Sequence, residues 1–167
     1  LTAAAYALGY EHVAARVDDP SRLDSVYRTP PTTTEQLLHP GVQEGPRELT
    51  AEVGETEWLA SASNQRFGEL FVRTALGTAV NESAAARAAA GWGSDRRLDF
   101  VTPEGGRGYA WVLRFDDRAN TTEFETVARA WLDERATHTE TGWTSERGDY
   151  RLASAGSETV VWLAGAE

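Results

Sequence analysis

A chain of 167 residues with no Cys, Met, Lys or Ile carries 26 acidic against 16 basic residues, every basic one an Arg, for a net charge of −10. The length makes one domain the default and supports a real core, since a chain of about 150 residues buries roughly 70% of its unfolded surface. The missing Cys excludes a disulfide scaffold, thiolate zinc sites, iron–sulfur clusters and thiol chemistry, and a basic run no longer than Arg96-Arg97 excludes a phosphate-binding stripe and hence nucleic acid as a partner.

The acidic, Lys-free surface, with Ala, Val and Leu filling the aliphatic positions, predicts the proteome of an extreme halophile. Molar salt shrinks the Debye length to about 3 Å and makes dense negative charge tolerable. The other reading is an ordinary GC-rich soil bacterium. The halophile reading expects the Tm to rise toward molar NaCl in a salt series, and a maximum in dilute buffer overturns it.

The chain opens in an apolar, Ala-rich stretch with no capping residue before it, which reads as the middle of a helix and predicts the C-terminal portion of a longer protein. Tyr6, Tyr10, Val13 and Val17 are expected on its apolar face. Asp19-Pro20 should cap a second helix carrying Leu23, Val26 and Tyr27, which stops before Pro30-Pro31. Capping-box spacing from Thr32 to Glu35, or from Thr33 to Gln36, opens a short helix through Thr34, Glu35 and Gln36 that ends at His39-Pro40. Residues 41–57 read as a surface loop with a brief strand at Leu49–Val53.

A strongly apolar helix is predicted over 67–80, followed by an Ala-rich helix capped by Asn81 and ended by Gly91. Beyond Gly91 the period changes from about 3.6 to 2. Strands at Arg96–Thr102 and Gly108–Asp116 flank the turn Pro103-Glu104-Gly105-Gly106. Then come a helix over 121–136, opened by Asn120, and three short strands near Gly142–Ser145, Asp149–Ser154 and Thr159–Ala164. The expected fold is α+β: a mainly helical segment 1–95 that continues an upstream domain, and a β-β-α-β-β-β segment 96–167. Together they pack as N-terminal helices with an antiparallel sheet of about five strands crossed by one helix.

Little in this pattern carries chemistry. His12, His39 and His138 have no second ligand at metal-binding spacing, so no cofactor or metal is expected within the chain, and no catalytic residue stands out. Glu69, in the most apolar helix, should lie at a polar edge or be buried and paired with an Arg. Two sequons, Asn81-Glu82-Ser83 and Asn120-Thr121-Thr122, make Asn81 and Asn120 candidate N-glycosylation acceptors, or else helix N-caps followed by small polar residues.

The segment Pro30-Pro31-Thr32-Thr33-Thr34-Glu35-Gln36-Leu37-Leu38-His39-Pro40, then Gly68-Glu69-Leu70, then Ala89-Ala90-Gly91-Trp92-Gly93-Ser94-Asp95-Arg96 resembles a group of prokaryotic proteins related to zincin-like metallopeptidases. There, P-P-x-(S/T)-T-E-Q-(I/L/V)-L-H-P and A-A-G-W-G-G-D-(R/Q) follow an upstream H-E-x-x-H helix, and Ser94 replaces the usual Gly here. The resemblance implies that zinc and the general base belong to a longer parent chain and transfers no catalytic residue to this one. Physically the motifs read as architecture: Trp92 plugs a helix-to-sheet junction between Gly91 and Gly93, and Asp95 caps or pairs with Arg96.

These readings converge on a noncatalytic scaffold or interaction domain of an exported, zincin-related protein, extracellular or at the cell surface. Its expected partners are the upstream part of the same protein and other cell-surface proteins. The alternatives are a cleft-shaping part of a zinc metallopeptidase and a self-standing cell-surface structural protein.

Overall fold

The computed structural model describes residues 2–52, 59–62 and 66–165. The chain divides into two compact units, Leu1–Pro46 and Arg47–Glu167. The division therefore falls well before residue 95, and strand β2 (Trp92–Val101) runs through the boundary expected there.

The first unit holds α1 (Thr2–Ala14), a single 3₁₀ turn (Pro20–Arg22), α2 (Leu23–Arg28) and α3 (Thr34–Leu38). Asp19 caps the turn by accepting from the Ser21 N–H, with Pro20 at its first position. Thr33 caps α3 by accepting from the Gln36 N–H at 3.2 Å. Helix α1 departs from its expected orientation: Tyr6 and Tyr10 stand in solvent, and His12 is buried. An Ala-rich helix that is apolar nearly all round gives periodicity no face to select.

Among the described residues the second unit is a seven-stranded antiparallel sheet in the order β1-β2-β3-β7-β6-β5-β4, covered on one face by helices. Its strands are β1 (Leu59–Ala62), β2, β3 (Arg107–Phe115), β4 (Thr137–His138), β5 (Trp143–Ser145), β6 (Gly148–Ser154) and β7 (Thr159–Gly165). The helices are α4 (Glu69–Leu76), α5 (Glu82–Ala89) and α6 (Arg118–Arg135). The architecture is α+β. Two of the strands, β1 and β4, are short edge strands without a legible alternation. No strand forms over residues 49–52, and Val53 lies outside the described residues.

Packing follows from the alternation in β3. Trp111, Leu113 and Phe115 face the helices, with Val160 and Trp162 beside them on β7. Val72 and Leu76 of α4 and Phe124, Ala128 and Leu132 of α6 close this core from above. Helix α5 contributes Ala85, Ala88 and Ala89, all fully buried, so it can approach its neighbours closely. Helix α4 is shorter than predicted, because Gly68, at φ +80°, is its N-cap and the turn beginning at Gly77 ends it.

After α6 the chain runs to the far edge of the sheet and returns strand by strand until β7 pairs with β3. That return sets Trp111 opposite Trp162 and Tyr109 opposite Ala164.

Candidate functional site

The motif residues of the first unit serve its architecture. Gln36 is buried. Its Oε1 accepts from the Thr32 N–H at 2.7 Å, and its Nε2 donates to the Glu44 carbonyl at 3.0 Å, so one side chain ties both flanks of α3. The His12 ring bonds the Gln36 carbonyl through Nδ1 at 3.0 Å, with Arg16 against the same ring. His39 ends α3, its N–H bonding the Glu35 carbonyl at 2.7 Å, and Pro30, Pro31, Thr34 and Pro40 bound the same short element.

The second motif is a junction. Gly91 has φ +75°, and a Cβ there would lie 2.4 Å from the Asn120 Cγ, so both conformation and space require glycine. Gly93 lies under the stem of Arg47, whose Cδ would sit 2.8 Å from an added Cβ. Arg47 in turn bonds Asp116 at 2.9 Å through Nε. Trp92 is buried at the junction.

Asp95 is buried, and it neither caps locally nor pairs with Arg96. Its Oδ1 accepts from the Gly68 N–H at 2.9 Å and the Trp92 indole at 3.1 Å, while Oδ2 accepts from the Phe67 N–H at 2.9 Å and the Trp111 indole at 2.9 Å. A carboxylate with four N–H donors has little hydrogen-bonding capacity left for a substrate. It locks the start of α4 to β2 and β3. Glu69, next along, is buried in the first turn of α4, where the helix dipole favours a negative charge.

Asn81 caps α5, accepting from the Ala84 N–H at 2.9 Å, and is exposed. Asn120 is not a cap: Asp117 opens α6 by accepting from the Asn120 N–H at 2.9 Å. Asn120 lies half-buried over Gly91, so the two sequons differ in access.

The feature best suited to a ligand was not legible in any motif. Between α4, α6 and the sheet lies a cavity of about 190 Å³, with Trp111, Trp162 and Tyr109 as its floor and Phe67, Phe71 and Trp131 as its walls. Phe67 stacks on Phe71 at 4.6 Å, both meet Trp111 edge-on, and Trp131 meets Trp162 edge-on at 5.3 Å. The Trp131 indole donates to the Ala75 carbonyl at 2.9 Å, which holds the wall in place across the two helices. The Trp162 indole N–H has no acceptor among the described residues.

At the cavity mouth the Arg97 guanidinium lies 4.4 Å from the Tyr109 ring centre and bonds Asp99 at 2.7 Å. Burial raises the Tyr109 pKa, opposed by the positive charge of Arg97 and reinforced by Tyr150. Folding then stabilises the neutral phenol, and this contribution is lost as pH rises past the unfolded value of about 10. Ultraviolet titration should show one phenolate fewer in the alkaline tail of Tyr109→Phe than in the native protein. Loss of that phenolate from the early part of the curve instead would contradict the burial effect.

The three His remain apart in role: His12 and His39 belong to the first unit, and His138 packs edge-on against Trp143 at 5.1 Å. No group of three His, Cys, Asp or Glu residues suited to a metal ion occurs among the described residues. No helix among them is long and apolar enough to cross a membrane.

Residues 55–167 match the family described as a domain of unknown function, DUF8575. The chain belongs to the DUF8575 family. The matched segment includes the sheet, the three covering helices and every aromatic wall of the cavity. No curated protein and no solved structure matches this DUF8575 chain.

Proposed function

We propose that this DUF8575 chain is a noncatalytic interaction domain whose aromatic cavity receives a ring-bearing ligand. The observation that carries the proposal is the cavity itself: about 190 Å³ lined by seven aromatic side chains from α4 and the residues just before it, α6, β3 and β7. An apolar cavity of about 150 Å³ is already large enough to hold benzene. The Asp95 carboxylate supports the same reading, since its hydrogen bonds are all used to hold the cavity walls together.

Ala75 lines the cavity from α4, so Ala75→Leu fills it without removing any core side chain. The neutral ring compound 3-phenylpropan-1-ol should perturb the fluorescence of the native protein and leave that of Ala75→Leu unchanged. Absence of any response from the native protein overturns the proposal.

The wider setting of the proposal is a longer, exported or cell-surface protein with a zincin-related upstream portion, supported by the shared motifs and the exposed Asn81 sequon. Zinc would then reside upstream, and the partners would be that portion and neighbouring surface proteins. Metal analysis of the full-length protein tests this, and a zinc-free protein that cleaves no peptide removes the metallopeptidase alternative.

A further inference from the structure

The cavity does not end at its aromatic floor. Arg97 and Tyr109 line it and also line an adjoining open depression of about 370 Å³, which is completed by Arg107, Arg147 and Tyr150. On a chain of net charge −10, three arginines converge here with Asp99 as the one carboxylate in the lining. Asp99 is engaged by Arg97 at 2.7 Å. Arg107 and Arg147 are exposed, and neither has a carboxylate partner among the described residues.

We infer that cavity and depression form one site for a small aromatic carboxylate, with the ring among the aromatic walls and the carboxylate on Arg107 and Arg147. The inference rests on the interaction-domain reading and adds the charge of the ligand. Three observations select this class. The volume admits a single ring. The cation already seated on the Tyr109 face disfavours a cationic ligand in the same box. The two arginines offer planar donor forks that match a carboxylate in geometry as well as charge.

The site is tested with 3-phenylpropionate and its neutral analogue 3-phenylpropan-1-ol, followed by Trp fluorescence and calorimetry in a salt concentration where circular dichroism shows a folded protein. The carboxylate should bind about tenfold more tightly than the alcohol, because charge-assisted hydrogen bonds are the stronger kind. The double variant Arg107→Gln with Arg147→Gln should remove that difference and leave alcohol binding unchanged, and Ala75→Leu should abolish both. Equal affinity for the two ligands, or a carboxylate affinity unmoved by the double variant, overturns the inference while alcohol binding sustains the interaction-domain reading. Carboxylate binding that survives Ala75→Leu overturns it too, since the ring is then elsewhere. Failure of both ligands removes the reading and the inference together.

Discussion

Asp95→Ala is expected to destabilise the second unit by about 3–5 kcal/mol, the scale for several buried donors left together without an acceptor. The loss is larger than one hydrogen bond because four donors are stranded together: two backbone N–H groups at the start of α4 and the indoles of Trp92 and Trp111. Each buried donor left without an acceptor costs about 1–3 kcal/mol. Asp95→Asn keeps the volume but turns an NH₂ group toward N–H donors, so much of the loss should persist. All six Trp lie beyond Arg47, so their fluorescence during urea unfolding reports on this unit alone. A loss below about 1 kcal/mol, no more than a single ordinary hydrogen bond, would show that the carboxylate is not the clasp described.

Phe124→Ala is expected to cost about 3–5 kcal/mol, at the upper part of that range for large-to-small core changes. Phe124 is fully buried, packs on Phe115 with ring centres 4.9 Å apart, and borders the aromatic cavity. Truncation would enlarge a space that already exists instead of leaving a void that the walls can collapse into. Thr126→Ala, at an exposed position on the same helix, should stay within about 0.5 kcal/mol. The comparison is read from the shift in urea midpoint at constant slope. Equal effects of the two substitutions would remove Phe124 from the core that seats α6 on the sheet.

The elements themselves were largely legible. Strand β3 announces its buried face through Tyr109, Trp111, Leu113 and Phe115, and its hairpin through the Gly105-Gly106 turn, where the Thr102 N–H bonds the Gly106 carbonyl at 2.9 Å. The caps at Asp19 and Asn81 were readable, since a short polar side chain beside a helix start has few other uses, while Thr33 was one of two adjacent threonines with the same capping spacing. Where two capping residues lay close together the choice failed: Asp117 opens α6, and Asn120 covers Gly91 instead. The orientation of α1 was hidden by its uniformly apolar composition. The edge strands β1 and β4 were hidden because a few residues at a sheet edge carry no period.

The candidate site was not legible at all, for a different reason. Its walls come from Phe67, Phe71, Tyr109, Trp111, Trp131 and Trp162, and each of these is explained locally as an ordinary core position of a helix or strand. Nothing in their spacing says that they leave room between them. Asp95 behaved similarly: the motif marked it, but its donors lie on three separate stretches of chain.

Opposed to that stands the surface chemistry, where the sequence was sufficient. Composition alone determined the acidic, Cys-free and Lys-free character of the molecule, because charge and reactivity belong to side chains wherever they lie. Local pattern determined the α+β class, since periodicity and capping act over a few residues. Only the tertiary structure decided that β7 returns to pair with β3, and so that Trp162 meets Trp111 beneath α6. It alone decided that Arg97 is shared between an apolar cavity and an arginine-lined depression. Strand order is a global property, fixed by burial of a whole sheet face at once, and the site exists only where that order brings distant aromatic and basic residues together.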